Sequence, residues 1–192
     1  MNARLRSVPL LAALVLALPA LAAPNEAVTK PVKTVVQSVR YNKDDLALKQ
    51  LANEEQGRFL LGEDWDKGTP AQRQEFTRLF TSLFAKMAFP KVRENFKNLS
   101  SITYEDPAVE GAKAKVKSTI VIEHPVKKQE LKLQYSLAQD KGAWKVVDVA
   151  VLGDSMLTGI RDDQVRPIMK QGGWDHLLEL MRKKEAELTA KK

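Results

Sequence analysis

Lys141-Gly142-Ala143-Trp144-Lys145-Val146-Val147-Asp148-Val149-Ala150-Val151-Leu152-Gly153-Asp154-Ser155-Met156 is the tract on which the reading of the fold turns. Asp140, Lys141 and Gly142 form a turn signal, because Gly adopts φ > 0 without strain and Asp tolerates the same region. From Trp144 to Leu152 β-branched residues alternate, and Gly153 breaks the run. One parity carries Lys145, Val147, Val149 and Val151; the other carries Trp144, Val146, Asp148, Ala150 and Leu152. Neither face is polar, so strict alternation predicts a strand covered on both faces and therefore central in its sheet.

Ahead of this tract the chain opens with Arg4 and Arg6, an apolar run from Val8 to Leu18, and Ala20 and Ala22 in an A-x-A pattern. Residues 1–22 read as a secretory signal peptide cleaved after Ala22. A membrane anchor needs roughly 20 apolar residues, and this run is shorter and broken by Pro9 and Pro19. Residues 23–192 are one domain's worth of chain, with no internal repeat or low-complexity tract. Loss of two basic residues with the leader lowers the net charge from +7 to +5. Lys113, Lys115 and Lys117 share one face of a strand, and Lys183, Lys184, Lys191 and Lys192 decorate the last helix. They read as solvated faces, with an anionic lipid surface or acidic partner as the second reading. The chain has no cysteine, so an exported protein of this kind suits a bacterial periplasm and is stabilised by its core alone. Nucleic acid is not an expected partner there.

In the mature chain Val32, Val35, Val36 and Val39 are spaced for one helix face. Asp44 to Leu61 continues as helix, with Gly57 a place to bend or split. Thr69, Pro70 and Gln72 then mark a helix start: the Thr hydroxyl accepts an orphan backbone N–H and Gln72 reaches back to Thr69. Phe76, Leu79, Phe80, Leu83, Phe84 and Met87 lie on one stripe of that helix, which Pro90 is expected to end. A stripe of this kind is ordinarily core and sometimes the wall of a ligand cavity.

Beyond Leu99 the period changes from 3.6 to 2. Leu99 to Tyr104, Lys113 to His124, Gln129 to Gln139 and the tract from Trp144 predict four strands in an antiparallel meander. A helix interrupted by Pro167, a break at Gly172 and Gly173, and an amphipathic helix from Trp174 to Leu188 close the chain. Helices first, strands second and helices last make the class α+β, with helices packed on one face of a curved sheet.

The chemistry is sparse. Two histidines, His124 and His176, and no cysteine nearly exclude a His/Cys metal site, Asp162 and Asp163 lack calcium-loop spacing, and glycine-rich phosphate loops are absent. No cofactor is expected. Gly153-Asp154-Ser155-Met156 resembles the Gly-Asp-Ser-Leu block of an esterase family, yet that family's late Asp-x-x-His unit is missing: Gly173 stands three before His176, and adjacent Asp175 diverges from it on a helix. Ser155 reads better as a helix cap.

Leu61-Gly62 with Trp65, then Thr69, Gln72, Arg73, Phe76, Phe80 and Leu83, then Trp144-Lys145-Val146 with Asp148-Val149, then Gly153-x-Ser155-Met156 with Thr158 and Arg161, resemble the MlaC family of periplasmic phospholipid-binding proteins, also called toluene-tolerance auxiliary proteins. The resemblance spans essentially the whole mature chain. This sequence departs from it at Val147, where an aromatic is frequent, at Leu152, where an acid is, at Met87, where a tyrosine is, and near Ile160 and Gln164.

The resemblance implies an α+β fold similar to the nuclear-transport-factor class, with a deep apolar cavity between helices and sheet. It implies a monomeric, non-enzymatic carrier in a Gram-negative periplasm. Its partners would be phospholipid, an outer-membrane lipoprotein complex and an inner-membrane ABC transporter containing an MCE-domain protein, and its task the upkeep of outer-membrane lipid asymmetry. Candidates for the cavity wall are Val116, Ile120, Ile122, Leu131, Leu133, Tyr135, Leu137, Val147, Val149, Val151 and Met156, with Phe76, Phe80, Leu83 and Phe84 closing the other side. Tyr135 and Ser155 offer hydroxyls to a head group, and Arg161 a charge. Two other classes stay open: a small-molecule enzyme using Asp148, the only acid inside a core strand, and an interaction module with a closed core.

Overall fold

The computed structural model describes residues 24–124 and 126–190; the signal peptide expected at residues 1–22 lies outside the described residues. Helix α1 (Pro24–Arg40) buries Val28, Val32, Val36 and Val39, whose spacing stacks them along one face. The helix expected from Asp44 to Leu61 is two helices, α2 (Asp44–Leu48) and α3 (Asn53–Leu61), and the interruption is not at Gly57. Between them the backbone bonds to Val146, whose N–H donates to Gln50 O at 2.8 Å and whose carbonyl accepts from Ala52 N–H at 2.9 Å. Gly57 has another role. A Cβ there would lie 2.3 Å from the Trp65 ring, so α3 presents bare backbone to Trp65, which sits in the single turn α4 (Asp64–Lys67).

Helix α5 (Pro70–Phe96) begins with the expected capping box: Thr69 Oγ1 accepts from Gln72 N–H at 3.2 Å and Gln72 Oε1 accepts from Thr69 N–H at 2.9 Å. Pro90 does not end it. The missing N–H and the ring clash cost about 3 kcal/mol, but Phe89 and Val92, on either side of Pro90, pack against Val39 and Ala47 and hold the segment helical. The expected short helix through Val92 and Phe96 is the continuation of α5.

One antiparallel sheet follows, with β1 (Leu99–Tyr104), β2 (Ala108–Glu110), β3 (Lys113–His124), β4 (Lys127–Asp140), β5 (Ala143–Val151) and β6 (Asp154–Ser155). The order is β1-β3-β4-β5-β6, with β2 beside the start of β3. The four expected strands are β1, β3, β4 and β5; the short β2 and β6 add to them. The chain closes with α6 (Met156–Ile160), a π-helical turn (Arg161–Val165) and α7 (Arg166–Ala190), whose backbone leaves helical geometry at Gly173 (φ 64°, ψ −153°).

The apolar character of both parities of β5 has a local cause. Ser136 on β4 pairs with Asp148, but the next residue, Leu137, pairs with Val146, so Val147 is an extra residue in the ladder. This β-bulge shifts the alternation by one. Trp144 and Val146 therefore share the inner face with Val149 and Val151, while Lys145, Asp148 and Ala150 turn outward. The strand is amphipathic once the bulge is counted, and it is covered at its free edge by Leu51 at one end and β6 at the other.

Two cores result. In one, Val28, Val32 and Val36 of α1 pack on Val116, Tyr135 and Val146 of the sheet. The other is built mainly from helices, with Leu60, Trp65, Phe76, Leu79, Trp174 and Leu177 at its centre, and Val147 is the strand residue packed against it. Phe84 touches both. The architecture is α+β, as the order of periodicities implied.

Gly57→Ala forces Trp65 out of its seat and is expected to lower stability by about 1–3 kcal/mol, read as an earlier urea midpoint. An unchanged midpoint would show that Trp65 has room to shift.

Candidate functional site

Phe76, Phe80, Leu83, Phe84 and Met87 recur along one side of α5 and form one wall of a cavity of about 520 Å³. Met156 and Ile160 of α6, Gln164 and Val165 of the π turn, and Ile168, Leu177, Leu180 and Met181 of α7 form the rest. The cavity lies among helices, not against the sheet: no residue of β1 to β6 lines it. Its aromatic wall is a run of neighbouring rings, with Phe76 and Phe80 stacked at 5.9 Å and 5° and Phe80 and Phe84 5.8 Å apart and tilted by 36°. Stacked rings offer a broad apolar surface with few rotamers to reorder.

The two long helices run parallel along this cavity. Gln72 bonds Asp175 at 3.0 Å, Arg182 grips Glu75 through two bonds of 2.7 and 2.8 Å, Arg78 meets Glu185 at 3.1 Å and Lys86 donates to Thr189 at 2.7 Å. Residue numbers rise together on both sides, so α5 and α7 share one direction. The Arg182 hydrogen bonds hold the Glu75 carboxyl below its ordinary range, and bonds from Ser82 and Arg78 do the same for Glu185. The wall of α6 has its own fastening. Ser155 Oγ donates to Asp148 Oδ2 at 2.6 Å and accepts from Thr158 N–H at 3.0 Å, and Leu157 N–H donates to Asp148 Oδ1 at 3.1 Å. These bonds satisfy orphan amides of the first turn of α6. After it, the Arg166 N–H reaches back five residues to Arg161 O; this extra residue widens the helix just before Pro167, whose ring would otherwise press on the preceding turn.

A model of the MlaC family, described as MlaC protein, matches residues 30–183. The chain belongs to the MlaC family. Among solved structures, one match is the phospholipid-binding protein from Ralstonia solanacearum, solved in complex with a phospholipid. It shares 19% identity over 88% of this chain and 99% of that one, at a TM-score of 0.69. At that identity the likeness is one of fold. A chain called Rd1NTF2_05, in a substituted form, reaches a TM-score of 0.41 at 13% identity over 67% of this chain and 99% of that one. No curated protein matches the sequence significantly.

For this MlaC-family chain the fifteen wall candidates fall into two groups. Phe76, Phe80, Leu83, Phe84 and Met156 line the cavity. Val116, Ile120, Ile122, Tyr135 and Leu137 are buried in the sheet cores, and Leu131, Leu133, Val149 and Val151 are half-buried beside them. Val147 packs on the helical core from outside the cavity. Among the lining residues missed by sequence are Met87, Ile160, Val165, Ile168, Leu177, Leu180 and Met181; for Leu177 and Met181 the apolar stripe of the last helix was the available signal, and nothing in it distinguishes cavity from core. Tyr135 is 2% exposed and accepts a 3.4 Å bond from Ser118; burial raises its pKa, with the Ser118 bond opposing. Arg161 is held by Asp162 at 2.9 Å and lies over the Phe59 ring at 4.8 Å. Ser155 has a carboxylate and an amide as partners, and no histidine is among them. Among the described residues no group of three or more metal-ligating side chains converges, and no helix is long and apolar enough to cross a membrane.

Two outcomes follow from these fastenings. Ser155→Ala removes the cap and is expected to cost about 1 kcal/mol in chemical unfolding while leaving the cavity wall in place by circular dichroism. The depressed Glu75 and Glu185 pKa values mean that the α5–α7 ladder is intact above the ordinary value of 4.5 and is lost as pH falls through the lower folded values. Acidification below 4.5 should therefore lower Tm less in an E75Q/E185Q variant than in the wild type; equal losses would place the acid sensitivity elsewhere.

Proposed function

We propose that this protein is a periplasmic phospholipid carrier that takes lipid between an outer-membrane lipoprotein complex and an inner-membrane ABC transporter containing an MCE-domain protein. The observation that carries this reading is an apolar cavity walled by helices in a chain of the MlaC family. Binding of phospholipid by the Ralstonia protein of the same fold supports it. A methylene group is about the size of a water molecule, whose share of liquid volume is roughly 30 Å³, so about 520 Å³ accommodates the carbons of roughly one acyl chain. At about 0.8 kcal/mol per CH₂, enclosing such a chain is worth on the order of 10 kcal/mol relative to water. A second chain then needs the half-buried sheet surface of Leu133, Val149 and Val151 or a wider separation of the helices.

A carrier of this kind needs no reacting group. Non-directional chain burial supplies the affinity, and the Ser155–Asp148 contact is occupied in capping α6. The export signal expected at residues 1–22 supports a periplasmic location for the mature chain, between the two membranes it would serve.

Native mass spectrometry of the mature protein purified without detergent tests the reading directly. A stoichiometric adduct of phospholipid mass, or one gained on incubation with liposomes, is the expected result; a bare mass after that incubation removes the carrier reading. Leu83→Trp projects an indole into the helical cavity and should lower occupancy severalfold in a folded protein. Leu133→Trp acts on the sheet surface instead. Loss of lipid in the second variant and not the first would move the acyl chains to the sheet.

A further inference from the structure

Phe84 belongs both to the cavity and to the sheet. Phe76, Phe80 and Phe89 of α5 are buried, whereas Phe84 is half-buried. Its ring neighbours two of them, 5.8 Å from Phe80 at 36° and 5.7 Å from Phe89 at 84°. It lines the helical cavity and packs against the helical core, the sheet core under α1 and the small cluster of Val39, Ala47 and Phe89. Among the described residues it is the one lining residue that also packs on the sheet core. Leu133 and Val149 pack on that sheet core as well. Leu133 pairs across the strands with Val151, and Tyr135 with Val149, so Leu133, Val149 and Val151 form one patch of the inner face. Tyr135 beside them is fully buried, yet the three aliphatic side chains are only half-buried. The sheet thus keeps partly uncovered apolar surface, and the side chain shared between its core and the cavity is Phe84.

We propose that Phe84 is the partition that decides between one-chain and two-chain lipids. With the ring in place the helical cavity encloses one acyl chain; with the ring swung aside the cavity joins the inner-face patch of Leu133, Val149 and Val151, where a second chain lies. This rests on the carrier reading above and adds the lipid class to it. A phenylalanine on a helix has two open χ1 wells, near 180° and −60°, and a move between them displaces the ring while α5 keeps its backbone. Phe80 and Phe89, buried in the packed cores, lack the room for such a move. The swing gives up ring contacts with Phe80 and Phe89, each of modest strength. Every methylene of a second chain laid on the patch gains burial in return, so a chain of ordinary length outweighs the loss. A one-chain lipid makes no such gain and leaves the ring where it is. The second space is therefore opened by the ligand that fills it.

The test titrates short-chain, tail-fluorescent phosphatidylglycerol and the lysophosphatidylglycerol of the same chain length onto the mature protein and reads the ratio of the two affinities. F84A, and F84L as the milder change, should shift that ratio severalfold toward phosphatidylglycerol with the circular dichroism spectrum intact. V149W fills the inner-face patch and should weaken phosphatidylglycerol severalfold while sparing the one-chain lipid. In F84A/V149W the gain from the first substitution should vanish, because the space it opens is filled. A gain that persists in the double variant means that the lost ring merely enlarged the helical cavity, and overturns the partition. So does a ratio unchanged in F84A, F84L and V149W, or an equal weakening of both lipids in the folded variants; in each of these cases the carrier reading stands. If the wild type binds neither lipid, both are overturned.

Discussion

The extra residue at Val147 is the constraint from which the rest of the molecule follows. Without it β5 would alternate strictly, and Trp144 and Val146 would face away from Val149 and Val151. With it, the inner face of β5 is apolar along its whole length and joins α1 in the sheet core. The bulged Val147 turns to the other core, and Gln56 of α3 bonds its carbonyl at 2.8 Å. The next residue, Asp148, is thereby directed outward, where both its oxygens are used to start α6. Met156 and Ile160 of α6 are wall residues of the cavity. A single irregularity in hydrogen-bond register thus couples the sheet, the second core and the position of the candidate site.

That coupling explains why the site contains a stiff wall and a fastened one. The α5 wall is a run of neighbouring rings backed by Trp65 and Trp174, with Phe76 edge-on to both at 6.2 and 6.0 Å. Close approach is possible only because glycine faces each indole: a Cβ at Gly68 would lie 2.5 Å from the Trp174 ring, as one at Gly57 would crowd Trp65. The opposite wall is held by hydrogen bonds at its ends, Asp148 and Ser155 at α6 and the arginine–glutamate ladder at α7. Rings set the shape of the space, and polar contacts at its rim set the distance across it.

Much of this was legible in the sequence. Thr69, Pro70 and Gln72 announce the start of α5 because a capping box is local chemistry, complete within four residues. The stripe from Phe76 to Met87 is legible for the same reason, as are the strands where alternation is unbroken. What could not be read are features decided by distant partners. Val147 becomes a bulge only against Ser136 and Leu137; the interruption at Leu51 arises because the backbone there bonds to Val146; α5 passes Pro90 because Phe89 finds Val39 and Ala47. The cavity wall is divided the same way. An apolar residue facing inward from a strand and one facing inward from a helix look alike in sequence, so Val116 and Ile120, which are core, stood beside Phe80 and Leu83, which line space. The α7 residues were passed over because a stripe on the last helix also fits simple packing.

The arrangement of charge along α5 and α7 carries a consequence for release. Enclosing an acyl chain at about 0.8 kcal/mol per CH₂ makes spontaneous loss to water slow, so a carrier that works between membranes has to let its cavity widen when it docks. The aromatic wall cannot readily yield at Phe76 and Phe80, which belong to the buried core around Trp65. The α7 wall is anchored in that same core by Trp174, Leu177 and Leu178; its polar grip on α5 is a set of exposed ion pairs and hydrogen bonds. Pairs of that kind contribute little each and exchange with water or with the charges of a partner surface. On the carrier reading, the ladder therefore keeps the helices in register through contacts that can be exchanged one at a time.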